Sequence, residues 1–259
     1  MKRSDLICEN AVINAKESEI SVHKTEICGT KIERINIEDK DISILNKPKG
    51  IYYTIYIENE NVIDAFSSVL ASMLPKGKAL VVGIGNSEIA SDRLGTASLS
   101  YIPATAHLVV HEDFRILGLR EVSVISAGVT GKTGIESSDF IRCVAAETKA
   151  EFIIAIDSLA CSERERLCKT IQLTNSGISP GSGVGNNRKR LDKEICGIPV
   201  IAVGIPTVID YCDDCEEKLM VTPRNIDAYI RNLSEIVGIG ISMALNPTLT
   251  EKDIRRLII

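Results

Sequence analysis

Apolar and polar positions along this chain alternate in short runs, and the period switches between two and about 3.6 residues several times. Residues 31–37, KIERINI, alternate apolar with polar positions, broken only at Glu33-Arg34, and predict a half-buried strand. Residues 51–57, IYYTIYI, are β-branched and aromatic and predict another. From Asn61 to Leu74, the residues Val62, Ile63, Phe66, Val69, Leu70 and Met73 recur on one helical face, and Pro75 and Gly77 end the helix. Short apolar runs at 80–84, 122–126, 151–157, 171–174 and 198–205 predict further strands. A helix is expected from a cap at Ser137 or Ser138 to Lys149. A longer one is expected to reach Leu245, with Thr222 as N-cap and Pro223 at its first position. Residues 1–20 have no periodicity and read as an exposed arm. Strands alternating with helices predict an α/β sandwich, and no repeat or linker divides residues 1–259 into more than one domain.

The stretch from Ala79 to Thr96, ALVVGIGNSEIASDRLGT, is the most informative. It reads as a buried strand, a loop holding Gly83, Gly85 and Asn86, and a helix expected to begin near Asp92. Residues 151–158, EFIIAIDS, repeat the design, with an apolar run that stops at Asp157. Ligands of open α/β sheets bind beyond the carboxyl ends of the strands. Asp92 and Asp157 are therefore expected at two neighbouring strand ends, sharing one cleft. A close pair of carboxylates resists full ionisation, so one member can stay protonated as an acid while the other activates water.

Composition narrows the picture. The chain has 259 residues, 44% of them hydrophobic, with no Trp and only 4% aromatics, so its core must be aliphatic. A net charge of −5 argues against a general nucleic-acid binder. The opening MKRSDLICEN turns polar before an apolar run forms, so no signal peptide is expected, and no apolar stretch of 18 residues predicts a membrane span. Eight scattered cysteines fit reduced thiols. Cys212 and Cys215 form a single C-x-x-C without a second pair at zinc spacing.

Other motifs fall short of their signatures. The Gly83-Ile84-Gly85 loop lacks the third glycine of a dinucleotide site, where Glu88 stands. SAGVTGKT at 126–133 has Ser126 in place of the first P-loop glycine. His107 and His111 stand four apart, but Leu108 occupies the glutamate position of a metalloprotease helix. His107 is kept as a supporting candidate. Residues 175–190 are the richest in glycine. Ser182 and Gly183, with Arg188 nearby, could hold an anion or a substrate carboxylate on backbone N–H groups.

Several segments together resemble the germination proteases of spore-forming bacteria: VVGIGNSEIASDRLG, GVTGKTGIE, FIIAIDSLA, TNSGISPGSGVGNNRKR, GIPVIAVGIPTVID and LMVTPRNIDAYI. They run in the family's order from about residue 80 to 245. The resemblance implies an atypical aspartic endopeptidase whose catalytic pair is Asp92 and Asp157, with no cofactor or metal. It implies a three-layer α/β/α sandwich around a mixed, mostly parallel sheet, similar to hydrogenase maturation endopeptidases. It further implies small acid-soluble spore proteins as substrate, no direct contact with nucleic acid or membrane, a homotetramer, and a cytoplasmic place in the spore core. Synthesis as a self-processing zymogen is implied too. The cut would fall between Asp5 and Leu6, making residues 1–5 a pro-segment.

Three departures from the family pattern stand out. Only about ten residues join Asp210 to Met220, where the family has a long insert; Thr96 replaces a proline, and Lys132 a glutamine. Two other readings follow. One is a maturation-type endopeptidase with a metal on Asp92, Asp157 and His107. The other is a shortened paralogue that binds spore proteins without cutting them.

Overall fold

The structure, a computed structural model, describes residues 4–9, 21–41, 47–181, 189–211 and 219–258. Its strands are β1 (Val22–Ile27), β2 (Thr30–Ile37), β3 (Gly50–Tyr56), β4 (Ala79–Ile84), β5 (Val122–Gly128), β6 (Phe152–Cys161), β7 (Thr170–Thr174), β8 (Val200–Tyr211) and β9 (Leu219–Val221). All nine join one sheet in the order β1-β2-β3-β7-β8-β6-β4-β5, with β9 paired to β8. The expectation of a mostly parallel sheet holds for the half β8-β6-β4-β5. The remaining pairings, from β1 to β8 by way of β7 and between β8 and β9, are antiparallel.

Strand alternation sorts the core into two layers. Val81 of β4 and Phe152, Ile154 and Ile156 of β6 face one side. There they meet Phe66 and Leu70 of α1 (Val62–Met73) and the apolar stripe Ile230, Leu233, Val237 and Ile241 of the long helix Ile226–Leu245. Leu80, Val82, Ile153 and Ala155 face the other side, against Ile141 and Ala145 of the helix Ser137–Thr148. Helices thus cover both faces, which is why β4 and β6 read as unbroken apolar runs.

Several sequence expectations need correction. The helix Ser137–Thr148 starts after Glu136, without a side-chain cap, so neither Ser137 nor Ser138 is its N-cap. Thr222 does not cap the long helix, which begins three residues later behind Asn225. Among the elements not foreseen are β1 and β9, largely exposed and so without a burial signal, the short helices Glu112–Leu117, Thr130–Thr133 and Lys193–Cys196, and Glu251–Leu257, fixed by a Thr250–Asp253 capping box. The exposed-arm reading fails for residues 4–9. Leu6, Ile7, Cys8 and Glu9 are all buried, and Ile7 packs with Ile35, Ile37 and Tyr52, so β2 is covered on both faces rather than one. Residues 10–20 lie outside the described residues.

Candidate active site

The sheet order creates the site. From β4 the chain crosses to β5 on one side, then returns to β6 on the other, so a crevice opens where β4 and β6 diverge. The β4–β6 register ends at Gly83 and Ile156. Asp157 is the next residue, and its strand does not stop there as expected. β6 runs on to Cys161 alongside β8, with Asp157 opposite Gly204. Asp157 is therefore the first β6 residue beyond its β4 partner, and it is 4% exposed. Its Oδ1 accepts the Ser158 N–H at 2.9 Å.

Asp92 reaches the same crevice from the other strand. After β4 the chain turns twice, with the Ile89 N–H donating to the Asn86 carbonyl and the Asp92 N–H to the Ile89 carbonyl. Asp92 ends a short 3-10 turn, Ala90–Asp92, and the next helix, Leu94–Ser98, starts two residues later. Asp92 Oδ2 accepts the Asn86 N–H at 2.8 Å. The glycines of this loop are explained by backbone packing rather than by a nucleotide. Gly85 has φ +111°, and a Cβ there would stand 2.0 Å from the Asp92 carbonyl oxygen. A Cβ on Gly95 would stand 2.3 Å from the Ile156 carbonyl oxygen, so the short helix can rest directly on β6.

A cleft of about 390 Å³ joins these parts. Asp92, Asp157, Asn86 and Gly85 line it, with Asp5, Ser158, Leu159, Ala160, Thr207 and Thr222. Thr207 and Thr222 were not picked out as site residues. Their hydroxyls form a tether: Thr222 Oγ1 donates to the Thr207 carbonyl at 2.8 Å, and Thr207 Oγ1 to the Ser91 carbonyl at 2.6 Å. The turn carrying Asp92 is thereby fastened to β8. Spacing could not reveal this, because 116 positions separate Ser91 from Thr207.

The N-terminal segment enters the cleft through Asp5. The Asp5 N–H donates to the Ala160 carbonyl, and the Ala160 N–H donates to Asp5 Oδ2, both at 2.9 Å. Leu6 is fully buried among Cys8, Leu159 and Cys161. Glu9 secures the segment further on. Its carboxylate accepts from the Ser162 N–H and hydroxyl and from the Glu163 N–H at 2.7–3.0 Å.

Of the other expected residues, Asn86 contributes its main-chain N–H to Asp92, while its side chain accepts from the Glu88 N–H. His107 is exposed on a separate 3-10 turn, Ala106–Leu108, and does not line the cleft. The metal set Asp92, Asp157 and His107 is therefore not assembled, and among the described residues no three His, Cys, Asp or Glu side chains cluster to hold a metal ion. Ser182, Gly183 and Arg188 lie outside the described residues, as do Cys212 and Cys215. Lys132 forms an ion pair with Glu88.

Comparison with known proteins gives this cleft a family. The model of the germination protease family matches residues 5–216, which include Asp5, Asp92 and Asp157. A germination protease of Caldanaerobacter subterraneus subsp. tengcongensis is 33% identical over 317 aligned residues, covering 99% of this chain and 98% of the relative. One of Geobacillus sp. is 39% identical, covering 90% of this chain and 68% of the relative. One of Bacillus licheniformis is 36% identical over similar shares, 90% and 69%. Among solved structures, a NiFe hydrogenase maturation protease HycI from Thermococcus kodakarensis is similar over 69% of this chain and 98% of its own, with a TM-score of 0.43 and 15% identity. No helix among the described residues is long and apolar enough to cross a membrane. With its family model spanning every element that builds the cleft from β4 to β8, the chain belongs to the germination protease family and is a peptidase.

Proposed function

We propose that this peptidase begins the degradation of small acid-soluble spore proteins at germination, with Asp92 and Asp157 acting together on one water molecule. The observation that carries the reading is that both carboxylates line a single cleft at the point where two adjacent parallel strands diverge. One carboxylate takes a proton from water as it attacks the peptide carbonyl; the other, kept protonated, delivers a proton to the leaving amine. No cofactor enters this scheme. The chain is made as a zymogen that cuts itself between Asp5 and Leu6. That reading is supported by Asp5 lining the same cleft and by the acidic-then-apolar pair it presents. The enzyme works as a homotetramer in the cytoplasm of the spore core.

The decisive experiment replaces Asp92 and Asp157 separately by Asn and follows cleavage of a purified spore protein. Each variant is expected to lose about 10²–10⁴-fold in rate while keeping its fold by circular dichroism. Full activity in either removes that residue from the chemistry. Light scattering of the same preparations reads the subunit count.

A further inference from the structure

Resting on the reading that Asp5–Leu6 is the bond this chain cuts in itself, we propose that Lys47 is a catalytic residue of that self-cleavage. Its ammonium holds the scissile carbonyl and stabilises the negative charge that develops on it. Lys47 Nζ donates to the Asp5 carbonyl oxygen at 2.8 Å. That oxygen belongs to the Asp5–Leu6 peptide group itself. The group is held on its other sides as well. Asp5 is paired to Ala160 through its N–H and its carboxylate, the Leu6 N–H donates to Ser4 Oγ at 3.0 Å, and the Leu6 side chain is buried. Lys47 is positioned from β3, where the Tyr52 hydroxyl donates to the Pro48 carbonyl at 2.7 Å.

An ammonium is more than a neutral carbonyl needs, since one N–H would satisfy it. Burial lowers Lys47 from the ordinary lysine value, against the opposing pull of Asp5 and Cys8. Burial thus disfavours the charged form, and a charge on Lys47 gains most when the oxygen it faces becomes an anion, which is why the cut is followed at mildly acidic pH. In the step itself, the water oxygen bonds to the Asp5 carbonyl carbon and gives a proton to one carboxylate of the Asp92–Asp157 pair. The carbonyl π electrons move onto the oxygen facing Lys47. The carbon–nitrogen bond then breaks as the Leu6 nitrogen takes a proton from the pair. The products are an Asp5 carboxyl group and a Leu6 amine, and water is the only co-reactant.

The test follows loss of residues 1–5 by intact-mass spectrometry in full-length wild type, Lys47→Met and Lys47→Arg at mildly acidic pH, with hydrogen exchange over residues 4–9 in each. Lys47→Met is expected to slow the cut about 10²–10³-fold while residues 4–9 stay as protected as in wild type. Lys47→Arg, still a charged donor, is expected to recover most of the rate. A wild-type rate in Lys47→Met overturns the proposal. So does a slow variant whose residues 4–9 have lost protection, because Lys47 would then only anchor the segment. If wild type itself is never cut at Asp5–Leu6, the processing reading falls and the role of Lys47 with it; that outcome is distinct from a wild type that cuts beside a Lys47→Met that cuts equally well.

Discussion

Asp5 and Ala160 exchange two hydrogen bonds, the Asp5 N–H to the Ala160 carbonyl and the Ala160 N–H to the Asp5 carboxylate, each at 2.9 Å. The second bond reads an acidic side chain with a main-chain donor, three residues beyond Asp157 on the same strand. A carboxylate accepting a buried N–H is a strong interaction, and its removal leaves Ala160, only 1% exposed, with an unmatched donor.

Asp5→Ala should therefore loosen the N-terminal segment by about 1–3 kcal/mol, whereas Asp5→Asn, which keeps an acceptor oxygen, should cost less. Hydrogen exchange at Ala160 measures the difference directly. Equal protection in wild type and Asp5→Ala would show that the carboxylate contributes nothing to holding the segment.

Thr207 makes a second prediction. Its hydroxyl is buried and ties the Ser91 carbonyl, next to Asp92, to β8. Thr207→Val keeps the shape and removes the tie, at a cost of about 1–2 kcal/mol. On the proposed mechanism, in which Thr207 would act by positioning Asp92, kcat should fall while KM for a spore-protein substrate changes little. Thr207→Ser, which restores the hydroxyl, should recover the rate. A loss confined to thermal stability would make the threonine purely structural.

The buried thiols set a pH limit. Burial pushes Cys8 and Cys168 up to about 11 and Cys161 up to about 12, from 9.0. Cys196 rises to about 11 and Tyr52 and Tyr56 shift upward from 10.0, also chiefly through burial. The folded state then holds these protons more tightly than the unfolded state. Stability is complete below about pH 9 and falls as pH rises towards 11–12. Lys47 and Arg120, both lowered by burial, work in the opposite sense but are outnumbered by the four thiols and two tyrosines. The urea midpoint should be lower at pH 10.5 than at pH 8. At pH 8, alkylation should reach exposed Cys28 and Cys143 well before Cys8, Cys161 or Cys168.

Much of this architecture is legible in short windows. The helical face of Val62 to Met73 and the apolar runs of β4 and β6 each reflect burial decided over a few neighbours, and KIERINI was legible as a strand though not as one covered on both faces. The windows failed where burial depends on distant chain. Residues 4–9 have no period of their own. They are buried because Asp5 and Glu9 find partners on β6 and just after it, 155 and 153 positions away. Thr222 precedes proline and resembles a helix cap, yet its hydroxyl is taken by the Thr207 carbonyl. β1 is exposed nearly throughout, so no amphipathic signal marks it.

By itself the chain determined its two carboxylates after apolar runs, its glycine-bearing loop and its α/β class, because each follows from local period and local sterics. Tertiary structure decided the rest. β6 lies on the far side of β4 from β5 and runs past β4's end, so Asp92 and Asp157 meet in one crevice with Asp5 beside them. Strand order is settled by burying both faces of the sheet at once, and that condition involves every helix and strand together rather than any one window.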